Sequence, residues 1–178
     1  MNKTERVKIS KFLSLILRHK PEEIDLVLDK NGWANVNDII DKYKELNLDF
    51  NIIKKIVDTS EKKRFQLSED QSKIRASQGH SIPVDLDLQN VDPPEILYHG
   101  TATRFIESIK KNGLCSKERN HVHLTHDIKT AMEVGKRYGK PIILIIKATE
   151  MYKQGMQFYL SENDVWLTNN VPVKFIIF

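Results

Sequence analysis

The hydrophobic period of this chain changes near Arg64, and that change limits what the chain can fold into. Before it, apolar residues recur three and four apart, as at Ile9, Phe12, Leu13, Ile16 and Leu17. That spacing places one apolar stripe on a helix. WANVNDIIDKYKEL (residues 33–46) continues in the same style. Asn35 or Asn37 can cap it, and Ile39, Ile40, Tyr43 and Leu46 share a face. FNIIKKIVDTS (50–60) predicts a third short helix with Ile52, Ile53, Ile56 and Val57 inward. From Arg64 the pattern alternates around a polar turn, RFQLSEDQSKIRA (64–76), which suits a β-hairpin through Phe65, Leu67, Ile74 and Arg75. Three helices followed by a hairpin form a winged-helix pattern.

The stretch SIPVDLDLQNVDPPE (81–95) is acidic and contains Pro93-Pro94, which reads as a linker. Two domains are expected, residues 1–90 and 91–178. The second opens with a strand, EILYHGT, running into a glycine turn. TRFIESIKKNGL (103–114) predicts an amphipathic helix capped by Thr103 and closed at Asn112-Gly113. HVHLTHD alternates as a strand, a helix capped by Asp127 follows, and PIILIIKA (141–148) is a buried strand. FYLSENDVWLT predicts two strands around a turn at 161–164, and VPVKFIIF predicts a last strand. This is mixed α/β without the regular alternation of a doubly wound sheet.

The bulk numbers exclude several classes. With 178 residues, 40% hydrophobic and 29% charged, the chain is an ordinary globular sequence, not a disordered one. No window approaches the ~18 apolar residues of a membrane span. The polar start MNKTERVKIS has no signal-peptide character. Cys115 is the only cysteine, so no internal disulfide can form, and a cytoplasmic protein is expected. The net charge is +4. Residues 1–90 hold 16 Lys+Arg against 15 Asp+Glu and residues 91–178 hold 12 against 9, so neither half is a basic arm. Nucleic acid would have to be bound through a few placed cations.

SLILRHKP (14–21) offers such cations. A core-like helix ends in Arg18, His19 and Lys20 before Pro21. Cations suit a helix C-terminus, so the cluster is a sound helix stop, but it could also hold an anion if further cations came from elsewhere. LYHGT (97–101) places His99 and Thr101 around Gly100 where a strand ends, and glycine lets a ligand approach the backbone. No phosphate-binding glycine loop is present. His121, His123 and His126 cluster without a cysteine or well-spaced carboxylate, so no metal is expected.

LSLILRHKP, KKRFQL, IRASQGHSIPVDLDL, LYHGTATRFIESIKKNGL, RNHVHLTHD and VWLT occur in this order over nearly the whole chain. In them the chain resembles the RNA 2'-phosphotransferases, the NAD-dependent enzymes of the tRNA-splicing type. The resemblance implies an α+β protein. It would have an N-terminal winged-helix-like lobe that binds RNA phosphate and a C-terminal ADP-ribosyltransferase-like lobe that binds NAD, with the active site in the cleft between them.

The reaction so implied has two steps. An internal 2'-phosphate attacks C1'' of the nicotinamide ribose and expels nicotinamide, leaving a 2'-phospho-ADP-ribosylated RNA. The ribose 2''-OH then attacks that phosphate, releasing 2'-OH RNA and ADP-ribose 1'',2''-cyclic phosphate. By the resemblance, the catalytic residues are Arg18, His19, Arg64 and Arg119. Arginine suits a phosphate dianion through its fixed, permanently charged N–H fork. Histidine, with an unperturbed pKa of ~6.5, adds a tunable donor. His19 and Arg119 are expected to matter most in the second step.

His99, Gly100, Thr101, Gly113, Leu114, His123 and Thr125 match the NAD-binding motifs. Lys63, Gln78, His80 and Ser81 are candidates for RNA contacts. Val165 stands where protein ADP-ribosyltransferases carry a glutamate, and Glu162 and Asp164 in the adjoining turn are expected to face solvent. Trp33 and Trp166 are expected in the two cores. The expected partners are NAD and a tRNA-like RNA, with no membrane and a monomeric state. Two other readings remain: an ADP-ribosyltransferase acting on terminal nucleic-acid phosphates, and a winged-helix DNA-binding regulator.

Overall fold

The computed structural model describes residues 2–117 and 119–178. Its contacts divide the chain into two compact units, Met1–Asp87 and Leu88–Phe178. Among the described residues no helix is long and apolar enough to cross a membrane.

In the first unit, helix α1 spans Lys3–Arg18. Asn2 accepts a hydrogen bond from the Glu5 N–H and the Glu5 side chain accepts one back from the Asn2 N–H, a reciprocal cap. The stripe read from the sequence is the buried one: Ile9, Leu13, Ile16 and Leu17 face the core. Phe12 is partly buried and stacks on Tyr43 with ring centroids 3.9 Å apart. The helix stops at Arg18, and the His19 N–H closes the last turn onto the Leu15 carbonyl at 2.9 Å.

The helix expected within 33–46 forms with its cap at Asn35 but is shorter than the pattern suggests. Ala34–Asn35 is a short strand, β1, followed by helix α2 (Val36–Lys42) and a 3-10 turn at Lys44–Leu46. The start is set by Asp29, whose Oδ1 accepts the N–H groups of Asn31 and Trp33 and turns the chain into an extended entry. Asn35 caps α2 through the Asn37 N–H. Tyr43 takes extended dihedrals and ends it. Helix α3 (Phe50–Asp58) is capped by Asp49 through the Ile52 N–H and buries Ile53 and Ile56.

Strands β2 (Phe65–Leu67) and β3 (Lys73–Ala76) form the expected hairpin, with Phe65 opposite Ala76 and Leu67 opposite Ile74. β1 pairs with the other edge of β3, giving an order β1-β3-β2. A lone two-stranded hairpin is marginal in water, and the third strand helps hold this one. At its turn Asp70 accepts from the Ser68 and Ser72 hydroxyls and the Ser72 N–H. Trp33 is half-buried rather than central to the core, and the Arg75 guanidinium covers its ring at 4.5 Å.

In the second unit, strand β4 (Ile96–Ala102) is followed by a 3-10 turn at Thr103–Phe105 and helix α4 (Ile106–Asn112). Thr103 therefore does not cap a helix; its N–H donates to the Lys140 carbonyl at 3.0 Å. Then come β5 (Leu114–Cys115), β6 (Val122–Leu124), α5 (Ile128–Lys136) and β7 (Pro141–Lys147). The chain ends with α6 (Ala148–Lys153), β8 (Tyr159–Leu160), β9 (Trp166–Thr168), β10 (Asn170–Val171) and β11 (Ile176–Ile177). β7 is the middle of a β11-β7-β4 sheet, and all seven residues of β4 pair antiparallel with it. A second sheet runs β6-β9-β8, and β5 pairs with β10.

The final segment is not one strand: Val173–Phe175 is a 3-10 turn before β11. Helix α6 and strands β5 and β10 are too short to show a period in the sequence. Helix α5 packs on β4 at two glycines. A Cβ on Gly100 would lie 1.7 Å from the Ala131 carbonyl oxygen, and one on Gly135 would lie 2.7 Å from the Thr101 oxygen. Leu97, Leu144, Ile146 and Phe158 are fully buried, and Trp166 joins this core.

Candidate functional site

The candidate residues fall into two clusters, one in each unit. In the first unit Arg18 is the last residue of α1, half-buried, and its Nη2 donates to the Arg64 main-chain oxygen at 3.3 Å. The Ser77 N–H donates to that same oxygen at 2.9 Å, and the buried Ser77 hydroxyl donates to the Lys63 carbonyl at 2.7 Å. Lys63 has a φ of 39°, so Ser77 braces a left-handed turn immediately before Arg64. The only sequence signal for Ser77 is its place after the hairpin. Arg64 itself is half-buried at the start of β2.

His19 follows Arg18, and its Nδ1 lies 2.9 Å from the Ser81 hydroxyl. The Ser81 N–H donates to the Arg18 carbonyl, also at 2.9 Å. The structure thus brings Arg18, His19, Lys63, Arg64 and Ser81 together within one unit. Between Ser77 and Ser81, Gly79 takes a φ of 88°, His80 is buried, and the Gln78 amide oxygen is buried without a hydrogen-bond donor among the described residues. Such an acceptor is costly unless a donor arrives.

In the second unit the bridge between Tyr98 and Thr125 brings β4 alongside the segment after β6. His99 Nδ1 lies 3.0 Å from the His123 main-chain oxygen. A carbonyl can only accept, so Nδ1 carries the hydrogen. Burial pushes the His99 pKa below its usual value, against the weaker pull of the carbonyl partner. His99 is therefore a neutral ring at pH 7, with Nε2 left as an acceptor. Arg119 Nη1 donates to His123 Nδ1 at 3.5 Å, which joins Arg119 to the same strand.

Other candidates have local structural duties. The Thr125 hydroxyl accepts from the Asp127 N–H at 3.1 Å, and Asp127 in turn caps α5. Thr101 is buried in β4, and Leu114 is a core residue of β5. Gly100 is glycine because α5 lies against it. Gly113 has a φ of 72°, and a Cβ there would meet the Val171 oxygen at 2.3 Å. At both glycines a side chain would run into backbone. Lys63 is exposed, and so are Glu162 and Asp164 in the turn before Val165, as expected. Burial also lowers the pKa of His121, whose ring meets Tyr159 edge-on. Among the described residues no group of three or more His, Cys, Asp or Glu side chains is placed to hold a metal ion.

Guanidinium groups beside a histidine are equipment for binding a phosphate, and a neutral histidine acceptor suits a sugar hydroxyl. The chain belongs to the RNA 2'-phosphotransferase, Tpt1 / KptA family, whose model matches residues 4–170. It is 53% identical to a protein of Flavobacterium johnsoniae named probable RNA 2'-phosphotransferase, over 100% of this chain and 99% of the relative. A protein of the same name from Fusobacterium nucleatum is 55% identical over 97% of this chain and 98% of its own. One from Pectobacterium atrosepticum is 54% identical over 94% and 95%.

Proposed function

We propose that this protein removes an internal 2'-phosphate from RNA by transferring it to NAD. The observation that carries the reading is the family match across residues 4–170. Within the first unit the reading is supported by the hydrogen bond from Arg18 to the backbone of Arg64, with His19 adjoining. In this reading the Arg18 and Arg64 guanidinium groups and the His19 imidazole take a phosphate dianion.

Arg18 and Arg64 bind the 2'-phosphate and hold its charge, and His19 donates a further hydrogen bond to it. Arg119 stabilises charge on the phosphorus oxygens while the RNA 2'-oxygen leaves. Gln78 takes a donor from RNA, such as a ribose hydroxyl; phosphate oxygens only accept and could not satisfy its amide oxygen. Residues 1–90 act as a winged-helix-like RNA lobe, and residues 91–178 act as an ADP-ribosyltransferase-like NAD lobe.

The fit to NAD rests on His99. Its neutral ring presents an acceptor at Nε2 and is held in that tautomer by the His123 carbonyl, which suits a ribose hydroxyl. His123 and Thr125 shape the same strand segment. Bound NAD supplies an electrophilic ribose carbon with nicotinamide as leaving group and a neighbouring hydroxyl that takes over the phosphate. Gly100 and Gly113 contribute through the backbone paths they permit.

The test is one reaction. Folded protein is incubated with a short RNA carrying a single internal 2'-phosphate, with and without NAD, and the products are weighed by mass spectrometry. Loss of the phosphate only with NAD, with ADP-ribose cyclic phosphate appearing, is the expected result. An RNA that keeps its phosphate under both conditions sinks the reading. Addition of an ADP-ribosyl group to a terminal phosphate would redirect it to terminal-phosphate modification.

A further inference from the structure

We infer that Arg104 and Lys117 form a phosphate contact beside Arg119, and that it takes the RNA phosphodiester next to the 2'-phosphate. The inference rests on the function proposed above, but its main test is binding, read without turnover. Both cations are set on one aromatic ring. Phe105 closes the 3-10 turn after β4 and is partly buried against the core of the second unit. The Arg104 Cζ lies 4.8 Å from the ring centroid and the Lys117 Nζ lies 5.5 Å from it. Both fall within the ~6 Å over which a ring face attracts a cation.

Two positive charges drawn to one ring repel each other, and an anion between them relieves that repulsion. Among the described residues neither cation is paired with a carboxylate. Glu107, the nearest acidic residue along the chain to Arg104, pairs with Lys110 at 3.5 Å. Glu118, next to Lys117, lies outside the described residues. A ring holds a cation through its charge, so the N–H donors of both side chains remain for phosphate oxygens. Both residues are exposed.

The backbone gives a second sign. Lys117 takes a φ of 52°, a left-handed conformation that glycine or asparagine adopts more readily. The Arg119 N–H donates to the Ser116 carbonyl at 3.0 Å, so Lys117 sits inside a turn that ends on Arg119. Backbone strain of this kind clusters at functional sites. Two residues of chain span at most about 7 Å, so Lys117 and Arg119 present their charges from neighbouring points. The chemistry of the substrate then decides the ligand. An internal 2'-phosphate shares its ribose with a 3'-phosphodiester. An RNA that offers the first group to Arg119 brings the second beside it, to Lys117 and Arg104. The pyrophosphate of NAD is a rival anion, but His99 and Thr101, assigned to NAD, are half-buried and buried. An exposed contact suits a backbone that continues past the site.

The experiment uses the full chain. Binding is measured without NAD by fluorescence anisotropy, on a short RNA with one internal 2'-phosphate, over a range of salt. Arg104→Gln and Lys117→Gln are each expected to raise Kd about 3- to 10-fold at ~0.1 M salt and to flatten the salt slope by about 0.7. Unchanged affinity and slope in both variants overturn the inference. Both side chains are exposed, so the variants are expected to melt as the wild type does, which is measured alongside. A second RNA carries an uncharged methylphosphonate in place of the diester 3' to the 2'-phosphate. The wild type is expected to bind it about 3- to 10-fold more weakly, and the double variant to bind both RNAs alike. An equal loss in the wild type and the double variant would place the contact on another phosphate and overturn the assignment.

Turnover separates this inference from the function it rests on. In NAD-dependent removal of the 2'-phosphate, both variants are expected to show a raised KM for RNA and the wild-type KM for NAD. A raised KM for NAD with RNA binding unchanged would give the two cations to the NAD pyrophosphate and overturn the RNA contact. If the wild type bound the RNA but never removed its phosphate, the proposed function would fail, and the salt slopes and the methylphosphonate RNA would still decide the contact.

Discussion

Arg18 Nη2 donates to the main-chain oxygen of Arg64 at 3.3 Å, although 46 positions separate the two residues in the chain. That oxygen also accepts from the Ser77 N–H, so the start of β2 is tied to the end of α1 and to the residue after β3. A guanidinium has five donors in a rigid fork and can brace against a carbonyl while facing an anion. An ammonium on a flexible stem lacks that fixed geometry. Arg18→Lys is therefore expected to reduce kcat for 2'-phosphate removal by roughly 10²-fold, while its melting temperature stays close to wild type. Near-normal turnover in Arg18→Lys would show that charge alone suffices at this position.

The close approach of α5 to β4 predicts a stability effect that is separate from catalysis. A methyl group on Gly100 would sit 1.7 Å from the Ala131 backbone oxygen, and backbone cannot step aside as a flexible side chain can. Gly100→Ala is expected to destabilise the chain by about 3 kcal/mol or more. Gly135→Ala, with its nearest contact at 2.7 Å from the Thr101 oxygen, is expected to cost less. Denaturant unfolding of the two variants gives the ranking. The reverse order would mean that α5 is not seated on β4 through Gly100.

These glycines show where the sequence was legible and where it was not. The apolar stripe of α1, the caps at Asn35 and Asp127 and the alternation of the hairpin are local patterns, and all three are legible in the sequence. LYHGT shows a glycine but not what lies against it; a Cβ on Gly100 would meet the backbone of Ala131, 31 positions away. β1 has two residues and is a strand only because β3 offers an edge, so the sequence shows the cap at Asn35 but not the strand that leads into it. α6 is six residues long, too short for its period to stand out after β7. Arg18 and His19 were legible as a cationic helix end. Their neighbours Ser77 and Ser81 are set by tertiary hydrogen bonds that no spacing encodes.

His99 gives a pH prediction. Burial holds its folded-state pKa below the unfolded value of ~6.5. On acidification the unfolded chain takes up this proton first, so protonation favours unfolding. The contribution of neutral His99 to stability is complete above about pH 6.5 and is lost as pH falls from there toward the depressed folded value. NMR titration should place the His99 midpoint below 6.5. His99→Gln, whose amide can still donate to the His123 carbonyl but cannot titrate, should show a flatter fall of melting temperature between about pH 7 and pH 5. A midpoint at or above 6.5 would remove the neutral-acceptor role assigned to the ring.

Arg119 separates the two steps of the proposed reaction. It is exposed, and its Nη1 reaches His123 Nδ1 at only 3.5 Å, so the protein holds it loosely and a phosphate can compete for its fork. Binding of the 2'-phosphate in the first unit is assigned to Arg18 and Arg64, and Arg119, with His19, is assigned to the charge that develops as the RNA 2'-oxygen departs. Loss of Arg119 should then spare the first bond-forming step and slow the second, by roughly 10²-fold or more. Under single-turnover conditions Arg119→Ala is expected to release nicotinamide at a rate near wild type. An RNA species heavier than the substrate by one ADP-ribosyl group should build up, and the 2'-OH RNA should follow late. Arg18→Ala should instead slow nicotinamide release itself, with no heavier RNA. If Arg119→Ala blocked nicotinamide release as fully as Arg18→Ala did, Arg119 would belong to the first step, and the division of labour among the three arginines would be wrong.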